Sequence, residues 1–87
     1  MKVFRKFELG GLTWTVADSD SITEMGHCDS ERAVIRLRSS LPPDVKAQTL
    51  CHELIHAIKF TAGESQHDEK EVDALGNLLH QVLKTAR

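Results

Sequence analysis

The sequence predicts an α+β domain: an antiparallel or mixed sheet of three to four strands in the N-terminal half, packed on two C-terminal helices. Three observations carry that expectation. Short apolar runs broken by turn residues fill the N-terminal part, the Pro42-Pro43 pair then interrupts the chain, and two long segments with helical periodicity follow. With 87 residues and 40% hydrophobic content there is material for one modest core and not for two, so residues 1–87 are expected to form a single domain.

The first two strands are expected at Val3 to Leu9 and Leu12 to Ala17. Gly10-Gly11 between them supplies the positive φ angles of a two-residue hairpin turn. Phe4, Phe7, Leu9, Leu12, Trp14 and Val16 give the hairpin an apolar face, and the Phe4-to-Phe7 step breaks strict alternation, as a bulge would. Asp18 to Ser21 is turn chemistry, Ile22 to Cys28 suits a short strand, and Ala33 to Arg38 suits another with one solvated edge.

Consecutive prolines cannot join a ladder, but they suit a helix start, so a helix is expected from Asp44 to Phe60, closed near Gly63. Ala47, Leu50, Leu54, Ala57 and Ile58 form its core stripe, while Val45, Thr49, His52 and His56 share a neighbouring face. Cys51 points away from the histidines as a small buried residue. Asp68 is placed to cap a last helix running to Lys84, buried through Val72, Leu75, Leu79, Val82 and Leu83.

Charge and hydropathy narrow the function classes. Eleven Lys and Arg against thirteen Asp and Glu, with both signs scattered, leave a net charge of −2 and no electrostatic footprint for nucleic acid. No apolar run approaches the roughly 20 residues that span a bilayer, and Met1 to Lys6 lacks the apolar stretch of a signal peptide. A cytoplasmic protein with no membrane partner is expected, its two cysteines, Cys28 and Cys51, being reduced thiols.

The chemistry concentrates in His52-Glu53-Leu54-Ile55-His56. Residues four apart on a helix lie one turn above the other, so both imidazoles can converge on one zinc ion. Glu53 flanks the open position, where a general base would stand. Chance alone would produce such a pattern in a chain of this composition roughly once in fifty. A third ligand must come from the acidic and histidine residues downstream, Glu64 to Asp73. Glu69 and Asp73 are i, i+4 partners, which lets Glu69 reach the ion while Asp73 holds a ligand histidine from behind, and Gly76 would permit the close helix approach this needs. Glu71 and His67 are the alternatives for the third ligand.

His52-Glu53-x-x-His56 followed by Glu69-Lys70-Glu71-Val72-Asp73 resembles the paired motifs of gluzincins, and is similar to compact phage or prophage members near the ImmA/IrrE-type metallopeptidases. The resemblance rests on the two helices, Leu41 to Leu83. It implies a zinc-dependent peptide hydrolase with His52, His56 and Glu69 as ligands to one Zn2+ and Glu53 as the base. The chain departs from the class in having no tyrosine to stabilise an oxyanion. His27, His67 and His80 are the available substitutes for that donor.

Two functions compete at this stage. As a peptidase, the chain would bind a peptide or protein substrate along a strand edge, with Ala33 to Arg38 the expected edge, or through elements supplied by a partner protein. As a non-catalytic binding or regulatory module, it would use the same zinc to staple two helices of a small domain.

Overall fold

A computed structural model describes residues 1–87 and shows an α+β fold: a four-stranded mixed sheet packed with two helices. In chain order the elements are β1 (Lys6–Leu9), β2 (Leu12–Ser19), β3 (Gly26–Asp29), β4 (Val34–Arg38), α1 (Pro43–Thr61) and α2 (Glu69–Thr85). The sheet order is β1-β2-β4-β3, with β2 and β4 parallel and the outer pairs antiparallel.

The Gly10-Gly11 hairpin forms as the dipeptide dictates: Leu9 faces Leu12, and both glycines take positive φ, 62° and 81°. β1 begins at Lys6, later than expected, and Phe4 lies outside the ladder. The irregular Phe4-to-Phe7 spacing therefore marks the start of a strand and not a bulge. Met1, Val3 and Phe4 instead pack against the core, Phe4 meeting the Phe7 ring edge-on at 5.7 Å. The third strand is also shorter than Ile22 to Cys28, and Ile22 to Met25 form an irregular approach to it. Here the side chain and backbone of Arg38 take up the carbonyls of Thr23 and Met25, at 2.7 and 2.8 Å.

One consequence of the strand order overturns an expectation. β4, the Ala33-to-Arg38 strand, lies between β2 and β3, so both its edges are hydrogen-bonded and it cannot receive a peptide. The free edge next to it belongs to β3. Central placement also accounts for its composition, since Ile35 and Leu37 are completely buried with Trp14, Val16 and Leu50 in the core.

Helix α1 starts at Pro43, with Asp44 in its first turn and Lys59 in its last, each opposing the local end of the helix dipole. Ala47, Leu50, Cys51 and Ala57 are buried as expected, but Ile58 is exposed. The sheet lies against one side of α1 and α2 against another, so its buried arc is wider than one stripe and turned away from Ile58.

Helix α2 is capped by Asp68, whose side chain accepts from the Lys70 amide at 2.9 Å. Its apolar face is not buried as the periodicity suggests. Only Val72 and Gly76 are buried, whereas Leu75, Leu78, Val82 and Leu83 are exposed. α2 crosses α1 through its N-terminal half, and its C-terminal half runs past the core. No helix is long and apolar enough to cross a membrane.

Candidate metal centre

The His-Glu-x-x-His segment lies in the middle of α1 on the side facing α2, with both histidines half-buried. α2 can come against that side because position 76 has no side chain. A Cβ at Gly76 would meet the His52 backbone, and Gly76 itself is buried. The approach carries Asp73 and Glu69, one and two turns nearer the start of α2, over the two imidazoles.

One ligand atom each from His52, His56 and Glu69 lies within 4.8 Å of the others. The two Glu69 carboxylate oxygens divide between the rings: Oε2 is 3.6 Å from His52 Nε2, and Oε1 is 3.3 Å from His56 Nε2. Zinc bonds of about 2.0–2.2 Å in a tetrahedron set neighbouring ligand atoms roughly 3.3–3.6 Å apart, and the distance from each ring to its nearer carboxylate oxygen falls in that range. The donor set of two imidazole nitrogens and a carboxylate also suits the ion.

The rings are oriented from behind. Asp73 Oδ1 stands 3.0 Å from His52 Nδ1, which fixes that ring with Nε2 toward Glu69. Burial lowers the His56 pKa below its ordinary value against the opposing pull of Glu69, favouring the neutral form that a metal needs.

Glu53 is 8% exposed and lies on the sheet side of the same turn. Burial pushes its carboxyl up to about 7, and the negative charges of Glu69 and Glu24 add to the effect. Its neighbour across the gap is the start of β3, where a Cβ on Gly26 would fall 2.9 Å from Glu53 Cγ and 2.7 Å from Thr49 Cγ2. β3 can run this close to α1 only because residue 26 is glycine. Sequence reasoning passed over Gly26, although a glycine inside a strand commonly marks such an approach.

Two grooves open on either side of this contact and share Gly26, His52 and Glu53. One, of about 360 Å³, is bounded by Met25, Thr49, Asp73 and a Gln48–Asn77 hydrogen bond of 2.6 Å that ties α1 to α2. The other, of about 340 Å³, runs past His27, Cys28, His56, Phe60 and Glu69. Burial and the nearby Glu53 and Asp29 charges push the Cys28 thiol up to about 12, which keeps it protonated. Taken together, the two grooves form a channel along β3 past the histidine pair, interrupted at the Gly26–Glu53 contact. A family model described as the IrrE N-terminal-like domain, Peptidase_M78, matches residues 11–80.

The chain belongs to that peptidase family. The match takes in β2, β3 and β4 as well as both helices, so the family likeness extends well beyond the two-helix segment that carries the motifs. No curated protein and no solved structure matches the chain.

The remaining sequence candidates are distributed as follows in this Peptidase_M78 domain. Glu71 pairs with Lys59 and stands outside the His52–His56–Glu69 cluster. His67 also stands outside the cluster: its Nε2 donates to the Glu64 carbonyl at 2.8 Å, and its Nδ1 meets His56 Nδ1 at 2.6 Å. It lines neither groove. His80 is on α2 outside both grooves, with its Nε2 buried and without a partner. Of the three histidines considered for that role, His27 lines the channel, exposed on β3.

Proposed function

We propose that this domain is a zinc-dependent peptide hydrolase in which His52, His56 and Glu69 hold the ion and Glu53 is the general base. The observation that carries the reading is the placement of a buried carboxylate, Glu53, beside a two-histidine, one-carboxylate cluster and facing a channel along a free strand edge. A zinc ion in that cluster supplies Lewis acidity, polarising a peptide carbonyl and making water acidic at neutral pH.

The chain's own groups supply the rest. A peptide or protein substrate pairs with the outer edge of β3 in extended form, which sets its backbone across the two grooves. Glu53 takes the proton from the attacking water on a carboxylate oxygen and delivers it to the departing amine nitrogen. His27, on the same strand edge, donates to the developing negative charge on the carbonyl oxygen, a task that no tyrosine is present to perform. Two free thiols fit a reducing, cytoplasmic setting.

Glu53→Gln is the decisive variant. It keeps the shape of the side chain and removes the base, so zinc should still bind one to one while cleavage of a peptide library falls by about 10²–10⁴-fold. Unchanged cleavage would refute the assignment. If the wild type cuts nothing in the library yet melts on chelation, the non-catalytic, zinc-stapled regulatory module is the function instead.

A further inference from the structure

The ring of His67 lies outside the cluster, yet it makes the shortest contact to it. We propose that His67 is a positioning residue for the metal centre, accepting a hydrogen bond from His56 Nδ1–H and so holding His56 in the tautomer with a bare Nε2. The inference rests on the zinc reading above and adds a residue to it.

The proton positions follow from the one group in the chain of contacts that has no choice. The Glu64 carbonyl can only accept, so His67 Nε2, 2.8 Å away, carries a hydrogen. A neutral imidazole protonated there has its lone pair on Nδ1. His56 Nδ1 is 2.6 Å from that lone pair, so the hydrogen between them belongs to His56. His56 Nε2 is then left with its own lone pair, on the side where Glu69 Oε1 stands at 3.3 Å. The ring geometry agrees. The two imidazoles are within 20° of coplanar, and their centroids, 4.9 Å apart, are separated by nearly twice the nitrogen-to-nitrogen distance. Rings that meet edge to edge produce that relation, and an in-plane lone pair requires it.

His67 is itself held firmly enough to act as a support. The Phe60 ring lies against it with centroids 4.3 Å apart. The loop that carries it is tied back to α1, where the Glu64 amide donates to the Lys59 carbonyl at 2.9 Å and Lys59 Nζ meets the Glu64 carboxylate at 3.1 Å. The two ligand histidines are therefore oriented by different chemistry. His52 leans on the Asp73 carboxylate, while His56 leans on an imidazole that is anchored to a backbone carbonyl.

The test uses two side chains of the same branched shape. In His67→Asn the side-chain oxygen takes the place of Nδ1 and can accept from His56; in His67→Leu no acceptor remains. Zinc affinity, read by competition with a chromophoric chelator, should fall about 10–100-fold in His67→Leu and stay within about fivefold of wild type in His67→Asn. Equal affinities in the two variants, whether both high or both low, would overturn the proposal, because packing alone would then explain the residue. Should either variant fail to fold, ring-nitrogen NMR of the 15N-labelled wild type decides the matter. It should show His67 protonated at Nε2 and His56 at Nδ1, and the reverse pattern at His67 would overturn the assignment. If the wild type takes up no zinc, the zinc reading fails by itself, and the same spectrum of the metal-free protein still tests the hydrogen bond.

Discussion

Gly76 of α2 lies directly on the backbone of His52: a Cβ at position 76 would stand 3.0 Å from the His52 Cα and 3.2 Å from its amide nitrogen. The obstacle is main chain, so it cannot be relieved by a rotamer change. The two helices would have to separate by a few tenths of an ångström, shifting Glu69 relative to the imidazoles.

Gly76→Ala therefore sets two effects against each other. Helix propensity favours alanine by about 1 kcal/mol, and the lost approach opposes it. The expected result is a lower melting temperature and a zinc affinity reduced about tenfold or more. A more stable variant with unchanged affinity would show that the helix contact is slack.

Gly26→Ala probes the other side of the centre. Its Cβ would meet Thr49 Cγ2 at 2.7 Å and Glu53 Oε2 at 3.1 Å, both of them side-chain atoms, so Glu53 must swing out of its place while the ligand set on the far face stays put. Peptide hydrolysis should drop by about 10²-fold or more with zinc affinity within about threefold of wild type. Parallel loss of both would mean that β3 supports the metal and not the base.

The contrast between these two glycines shows what sequence periodicity could and could not reach. His52, Glu53 and His56 stand out because a helix imposes its own geometry on i, i+1 and i+4, and Glu69 with Asp73 because the same rule applies to the second helix. The Gly10-Gly11 turn, the Asp68 cap and the helix start at Pro43 are equally local. What escaped is tertiary. β4 looks like an edge by its composition and is interior by its pairing, and only the crossover that sets β3 outside it decides which strand borders the channel. His67 has two ring nitrogens of the kind that bind zinc, and the loop after α1 turns both toward protein groups. The apolar repeat of α2 continues to Leu83, but periodicity cannot say where a crossing helix leaves its neighbour.

That last point has its own measurement. Val72 is completely buried, whereas Val82, on the same helix, is 59% exposed. Val72→Ala should lower the unfolding free energy by about 2 kcal/mol through lost burial and the cavity left behind. Val82→Ala should remain within about 0.5 kcal/mol of wild type, because little area is lost and alanine is the better helix former. Denaturant midpoints of the two variants, taken at one pH, compare them directly. Similar large losses would place the end of α2 in a buried environment in solution.

Glu53 should also leave a signature in the pH dependence of stability. Its carboxyl is pushed from an ordinary 4.5 up to about 7, by burial first and then by the charges of Glu69 and Glu24. A raised folded-state pKa means that the folded protein holds the proton more tightly than the unfolded chain. The stabilisation is accordingly full below about pH 4.5 and disappears as the pH rises through about 7. Above that, the wild type keeps a buried charge, while Glu53→Gln keeps a neutral amide of the same shape. With chelator present, the two should be about equally stable at pH 4, and at pH 8 the variant should be the more stable by on the order of 2–3 kcal/mol. Saturating zinc should close that gap, since a dication beside Glu53 stabilises its ionised form. Urea midpoints across pH 4–8, with and without zinc, measure all three. A gap that does not change with pH would mean that Glu53 titrates as a solvated carboxyl in the metal-free domain.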